Sequence, residues 1–382
     1  MTTDGVSSEL LRAVVRRPSD ETRQHVRHLV SQVGDWDSLL HMAQEHRVTS
    51  VLFLKLKQLD IATPADVQNL LMAGYERNAF QSIANAAELI DLLGQFQHEK
   101  ISAMPFKGIL LGASVYHDLA IRPAGDLDVL IHYRDLLRAT ALLVKRGYEL
   151  KTPAKPDGTP KAPDYFEYHF ERPADGMVLE LRWRLELSQP RFRRDLGMDW
   201  VWPHRCETEL AGAKVPDIRP EILLLVLCMH ASKHVWSRLI WICDVAQLLE
   251  THPSLDWDEV IAEARRTGLW RALALGVLLA HRIADVGIPS IPLSKFTADK
   301  TAARLAEHIC SNLFTAPGSM PRGAVPYYFQ LLDLSDRLAM IFSLNFLRPN
   351  ERDRAVMRLP ESLSLLYYLI RPYRIMRDRS AR

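Results

Sequence analysis

Apolar residues recur at intervals of three and four from residue 8 to about residue 99, as in Leu39, Leu40, Ala43 and then Val51, Leu52, Leu54. That is the stripe a helix turns toward a core, so this part of the chain predicts helices. Gly34, Pro64 and Gly74 punctuate it. Between 101 and 187 the period changes. Short runs at 102–106, 127–132, 165–171 and 177–183 alternate or are wholly apolar, with Gly and Pro between them, which predicts strands. Two helical stretches, 109–116 and 135–146, lie among them and give an α+β unit of modest size. The segment 152–163 holds four prolines and a glycine and predicts a surface loop or flap. From 221 onward the helical period returns, broken by prolines near 288–292 and 315–326, as in a helical bundle. The expected class is α+β, with a β-sheet core at 99–190 between an N-terminal helical region at 1–98 and a C-terminal helical domain at 191–382.

Composition narrows the classes. The 382 residues are 48% hydrophobic and 25% charged, which excludes collagenous, disordered and disulfide-scaffold chains. Lys and Arg number 48 against 46 Asp and Glu, so no global field attracts nucleic acid, and a polyanion must be met by a local basic patch. Acidic and polar residues at the start argue against a signal peptide. The longest apolar run, 222–229, falls short of the ~20 residues that span a bilayer. Cys206, Cys228, Cys243 and Cys310 lack CxxC spacing and read as buried thiols in a reducing compartment. Together these predict a cytoplasmic chain without a transmembrane segment.

Chemistry concentrates at 106–131, which reads strand, Lys107-Gly108 turn, helix, loop, strand. Residues two apart on a strand face the same way, so Asp126 and Asp128 project together while Leu127, Val129 and Ile131 project into the core. Paired carboxylates on a rigid strand suit Mg²⁺ or Mn²⁺, the ions used for in-line displacement at phosphorus. Spacing alone decides little, because 46 acids in 382 positions give about five such pairs by chance. Context separates this pair from Asp35/Asp37, Glu207/Glu209 and Asp256/Asp258: it lies on an apolar-backed strand soon after a Lys-Gly turn. Glu180 alternates with Leu179 and Leu181 on another strand and joins the same polar side if that strand enters the sheet. It is a candidate metal ligand or base, and its bland alternative is a surface glutamate paired with Arg182 or Arg184.

Lys107-Gly108, Arg122-Pro-x-Gly-Asp126-x-Asp128 and Glu180-Leu-Arg-Trp183 resemble the signature of the polymerase-β-like nucleotidyltransferase superfamily, and within it a bacterial nucleotidyltransferase family found in polysaccharide or peptide-natural-product gene clusters. Further likeness lies in Trp36 to Val48, in His230-Ala-Ser-Lys233-His234 with Trp236, in Trp241 to Asp244, and in Leu359-Pro and Tyr367 to Pro372. The resemblance implies a small mixed-sheet nucleotidyltransferase core and a Mg²⁺- or Mn²⁺-dependent transfer from an NTP to an acceptor hydroxyl, the acceptor being a small molecule, glycan or peptide. Asp126, Asp128 and Glu180 would be catalytic and metal-binding. Lys107, Gly108, Arg122, His230, Lys233 and His234 would bind nucleotide. The Gly-Ser pair usual after the first strand is replaced by Lys107-Gly108, which removes a serine contact to the triphosphate and leaves Lys107 and backbone N–H groups to substitute. Rival readings are a decayed nucleotide- or partner-binding module and γ-phosphoryl transfer.

His230, Lys233 and His234 share one helical face. Zinc binding by the histidine pair is disfavoured by Lys233 and by the absence of a metalloprotease glutamate. Phosphate contact by Lys233 and Arg238 fits better, with Asp244 orienting one of them. Trp36, His46, Trp236 and Trp241 read as packing, and the arginines at 371–382 as a solvated tail, so nucleic acid is not an expected partner.

Overall fold

A computed structural model describes residues 3–160, 166–185, 196–315 and 324–332. The resemblance at 359–360 and 367–372, the arginine-rich tail, and residues 161–163 of the proline-rich segment lie outside the described residues.

The N-terminal periodicity forms α1 (Thr3–Val14), α2 (Asp20–Gln32), α3 (Trp36–Glu45), α4 (Thr49–Gln58) and α5 (Ala65–His98). Ser19 and Asp35 cap α2 and α3 by accepting the N–H groups of Thr22 and Ser38. Gly34 and Pro64 fall at breaks, but Gly74 does not: α5 runs through it for 34 residues. One interior glycine costs a helix only about 1 kcal/mol, and the packing of Val67, Leu71, Leu89 and Leu92 outweighs that.

The central unit is β1 (Ala103–Pro105), α6 (Gly108–Ser114), β2 (Asp126–Ile131), α7 (Leu136–Lys145), β3 (Glu149–Leu150), β4 (Glu167–Arg172) and β5 (Met177–Arg182). The strands form one mixed sheet in the order β1-β2-β5-β4-β3, in which only β2 and β5 run parallel. Their register sets Asp128 opposite Glu180, and β4 sets His169 opposite Glu180. Alternation then sorts the side chains. Leu127, Val129, Ile131, Leu179, Leu181, Tyr168 and Phe170 are buried against Leu89, Leu92 and Phe96 of α5 and Leu136 and Leu143 of α7. The other face carries Asp126, Asp128, Glu167, His169, Glu180 and Arg182.

After α8 (Met198–Val201) comes a hairpin, β6 (Arg205–Leu210) and β7 (Ala213–Ile218), where the sequence reading placed only helical structure. Its turn, Ala211-Gly212, has φ of 49° and 84° at successive residues, as tight two-residue hairpin loops require. Only Leu210, Val215, Asp217 and Ile218 of the hairpin are buried, so the apolar signal was too sparse to mark it.

Helices α9 (Pro220–Lys233), α10 (Leu239–Thr251), α11 (Trp257–Thr267), α12 (Trp270–Ala284), α13 (Ser290–Ala298), α14 (Lys300–Asn312) and α15 (Ala324–Leu331) complete the described chain. The run Ile222 to Met229 is buried on all sides of α9, so that helix is central. One continuous core joins Leu10 of α1, Leu39 of α3 and Leu52 of α4 to Leu224, Ile242 and Leu275, and it reaches Met104, Phe106 and Leu130 of the sheet. No described helix is long and apolar enough to cross a membrane. All four cysteines are free, but only Cys228 and Cys243 are buried, since Cys206 lies on the polar hairpin and Cys310 on a partly covered helix.

Candidate active site

Two backbone turns bring cationic side chains over the polar face of the sheet. Directly after β1, Lys107 has φ of 60° and Gly108 of 46°. A residue with a Cβ holds such an angle only where its surroundings impose it. Here Phe106 N–H donates to the Asp128 carbonyl at 3.2 Å and Leu110 N–H to the Lys107 carbonyl at 3.0 Å. The Lys107 side chain is buried, with Nζ 3.3 Å from Asp128 Oδ2 and 3.5 Å from His230 Nδ1.

The second turn follows α9, where Val235 and Trp236 have φ of 55° and 51°. Trp236 is fully buried, and its Nε1–H donates to Ser232 Oγ at 3.1 Å. It packs on Gly276, where a Cβ would stand 2.4 Å from Cys228 Sγ and 2.9 Å from Trp236 Cη2, so no side chain fits. This corner sets the end of α9 and the start of α10 above the sheet. His234 stacks on Trp241 with centroids 5.1 Å apart, and His230 meets His234 edge-on at 4.9 Å.

Arg122 precedes β2 and is held from the helical side. Its Nε donates to both Asp244 oxygens at 2.9 and 3.0 Å, and Tyr116 Oη donates to Asp244 Oδ1 at 2.9 Å. Asp244 therefore orients Arg122, not Lys233 or Arg238 as the sequence reading expected. Arg122 and Asp244 are both buried, where a lone charge is costly, whereas Lys233 and Arg238 are half-buried and keep water.

The carboxylates meet a second cation on their own sheet. Arg182 Nε lies 3.0 Å from Asp128 Oδ1, Nη1 lies 2.5 Å from Glu167 Oε2, and Nη2 donates to Glu180. His169 Nδ1 lies 3.3 Å from Glu180 Oε1, and Nε2 lies 3.2 Å from Glu167 Oε1. Oxygens of Asp126, Asp128 and Glu180 come within 4.8 Å of one another. The carboxylate of half-buried Asp126 makes no hydrogen bond or ion pair among the described residues.

Electrostatics follow from this geometry. Burial pushes the Asp126 carboxyl up, with the Asp128 charge adding to it. Burial acts on Asp128 in the same sense, yet Lys107 and Arg182 outweigh it and hold that carboxyl below its ordinary range. Burial raises Glu180 against the pull of Arg182. Burial, then Lys107, pushes His230 well below its ordinary value, and burial with Lys233 lowers His234 to about 4. Both rings are thus neutral at pH 7. The His169 pKa rises through its hydrogen bond to Glu167.

The cavity that these residues line is open to solvent and has a volume of about 400 Å³. Asp126, Asp128, Glu167 and Glu180 line it together with Lys107, Arg122, Lys233 and Arg238, and Arg47 reaches it from the α3–α4 corner. The sequence profile of a family described as "uncharacterised nucleotidyltransferase" matches residues 32–285, a span that contains every residue lining this cavity. The chain belongs to this family. Nucleotidyl transfer is the chemistry for which the family is named. Among solved structures the chain is similar to an antigenic nucleotidyltransferase-like protein from Paracoccidioides brasiliensis, with a TM-score of 0.29 and 17% identity over 50% of this chain and 91% of that chain. No match is found among curated proteins.

In this nucleotidyltransferase-family chain all nine residues singled out from sequence, Lys107, Gly108, Arg122, Asp126, Asp128, Glu180, His230, Lys233 and His234, line the one cavity. Glu180 does pair with Arg182, the bland alternative, but the pair lies inside the cavity and is shared with Asp128. Sequence reasoning missed Arg182, Glu167 and Arg47 as cavity residues, and His169 as a partner of Glu180. Arg182 was within reach, because it stands two residues from Glu180 on one strand.

Proposed function

We propose that the protein is a divalent-metal-dependent nucleotidyltransferase of the polymerase-β type that moves a nucleoside monophosphate from an NTP to a hydroxyl of a small-molecule, glycan or peptide acceptor. One observation carries this reading: three carboxylates converge within 4.8 Å in a cavity that Lys107, Arg122 and Lys233 also line. The donor set fits Mg²⁺ or Mn²⁺, since it consists of hard oxygens and includes Asp126, whose half-buried carboxylate has no protein partner among the described residues. Asp126 and Asp128 would hold the ion, with Glu180 beside them, and the ion when bound neutralises charge on the transferring phosphoryl oxygens.

The chain's own groups do the rest. Lys107, Arg122 and Lys233 attract the triphosphate, and the neutral His230 and His234 offer hydrogen bonds without adding charge. The acceptor oxygen forms a bond to the α-phosphorus as the α–β bridging P–O bond breaks and pyrophosphate departs. The hydroxyl proton passes to Glu180, whose raised pKa suits a base better than the depressed Asp128 does. Alignment and charge neutralisation are the main catalytic contributions in such a displacement.

A second reading, a nucleotide-binding module without transfer, draws on the ion pairs of Lys107 and Arg182 with Asp128, which leave that carboxylate compensated. Incubation with each of the four NTPs, Mg²⁺ and a panel of acceptors separates the readings. Pyrophosphate release with a nucleotide-mass adduct, lost in Asp126→Asn, is the expected result. Inorganic phosphate in its place means γ-phosphoryl transfer, and binding with neither product means the module.

A further inference from the structure

The segment around His46-Arg47 plays no part in the reading above, yet the fold carries it to the cavity. His46 ends α3 and is fully buried. Its Nδ1 accepts the Leu239 N–H at 3.1 Å and its carbonyl accepts the Ile240 N–H at 3.3 Å. These are the opening amides of α10, so the α3–α4 corner is fastened to the corner that carries Arg238. Arg47 comes next, with φ of 57°, and lines the cavity. Arg238 lines the same cavity and lies 5.7 Å from the Trp241 ring centroid.

Three other cations of the cavity are compensated in place. Lys107 pairs with Asp128, Arg122 with Asp244, and Arg182 with three carboxylates. Arg47 and Arg238 form no ion pair with a carboxylate among the described residues. Partial desolvation and then the Arg238 charge push the Arg47 pKa down, with Asp126 opposing. Two guanidinium groups from separate elements thus line one cavity, neither paired with a carboxylate among the described residues. Planar forks in that arrangement match the oxygens of a phosphate dianion, to which each can donate paired N–H bonds.

We propose that Arg47 and Arg238 form a second phosphate-oxyanion subsite in the cavity, on residues distinct from the carboxylate cluster. Its place in the reaction rests on the nucleotidyl-transfer reading, but its chemistry does not. The phosphate belongs either to the β,γ end of the NTP or to a phosphorylated acceptor.

The test is titration calorimetry on the full chain with Mg²⁺ and four probes: each NTP, the matching nucleoside monophosphate, inorganic pyrophosphate and inorganic phosphate. Wild type is compared with Arg47→Gln and Arg238→Gln. If the subsite reads the NTP, each variant weakens NTP and pyrophosphate binding about tenfold or more and leaves the monophosphate unchanged. If it reads an acceptor phosphate, inorganic phosphate binding falls by that factor while NTP binding stays. Arg47→Lys and Arg238→Lys keep the charge and should recover part of the loss, which separates recognition from misfolding. Wild-type affinity for every probe in both Gln variants overturns the subsite, as does a wild-type protein that binds no probe. Arginine-dependent pyrophosphate binding without pyrophosphate release from any NTP removes the transfer reading and keeps the subsite.

Discussion

Lys107 Nζ lies 3.3 Å from Asp128 Oδ2, on the carboxylate whose other oxygen is 3.0 Å from Arg182 Nε. A cation therefore already stands where a metal would approach Asp128. Lys107→Met removes that competing charge and keeps the aliphatic stem that packs beside Phe106. The expected result is opposite shifts on the two ligands: Mn²⁺ binding without nucleotide, read by paramagnetic resonance, tightens about tenfold, while NTP binding weakens, tenfold being roughly 1.4 kcal/mol. Weakening of both would mean that Lys107 does not oppose the ion.

The two aspartates should part company in stability. Asp128→Asn strands buried Lys107 and takes one of three carboxylates from Arg182, and breaking a buried pair by removing one partner costs roughly 3–5 kcal/mol. Asp126→Asn removes a carboxylate that burial already disfavours as an anion, so its unfolding free energy should stay within about 1 kcal/mol of wild type or rise. Both should abolish transfer. Urea unfolding at pH 7 checks the first difference, and equal losses would refute it.

Glu180→Gln separates base from ligand. If Glu180 takes the acceptor proton, NTP affinity holds and transfer slows by ~10²–10⁴-fold, the range for a positioned acid or base. A parallel fall in binding and rate makes it chiefly a ligand, and no change in either removes it from the mechanism.

Acid should weaken the α3–α10 junction through His46. Burial, aided by Arg238 and Arg12, lowers its pKa from 6.5 to about 4, so the unfolded chain takes up the proton first as pH falls. The stability that the neutral ring provides is complete above pH 6.5 and is lost as pH drops from there toward 4, by an amount on the order of 3 kcal/mol. His46→Asn keeps an acceptor near the Leu239 N–H but cannot titrate. Between pH 7 and pH 5 its unfolding free energy should fall less than that of wild type, and matching slopes would exclude His46 as the source.

Much of this site was legible because it is written in local periods. Asp126-Leu-Asp128 and Glu180-Leu-Arg182 declare their shared face by alternation, and His230 with Lys233 by helical spacing. Other partners depend on which strands pair and which corners meet. The parallel register of β2 with β5 puts Asp128 beside Glu180, and no spacing between residues 128 and 180 encodes that. Arg47 enters the cavity because a histidine beside it happens to cap a helix 193 residues later. Asp244 misled for a related reason: proximity in sequence favoured Lys233 and Arg238, while desolvation favoured the other buried charge, Arg122. The β6–β7 hairpin went unseen because so few of its side chains are buried.

The Arg122–Asp244 bond joins partners 122 residues apart in the chain, one before β2 and one in α10. Its consequence concerns what can be cut or transplanted. A fragment ending at the last strand of the sheet would retain all three converging acids, yet it would strip Arg122 and the Tyr116 hydroxyl of their common acceptor and open the Phe106 side of the sheet to water. The five-stranded sheet is thus not a portable cassette. Grafts or truncations meant to preserve its chemistry have to carry α9 and α10 with it, and circular permutants should place new termini outside the span from Lys107 to Asp244.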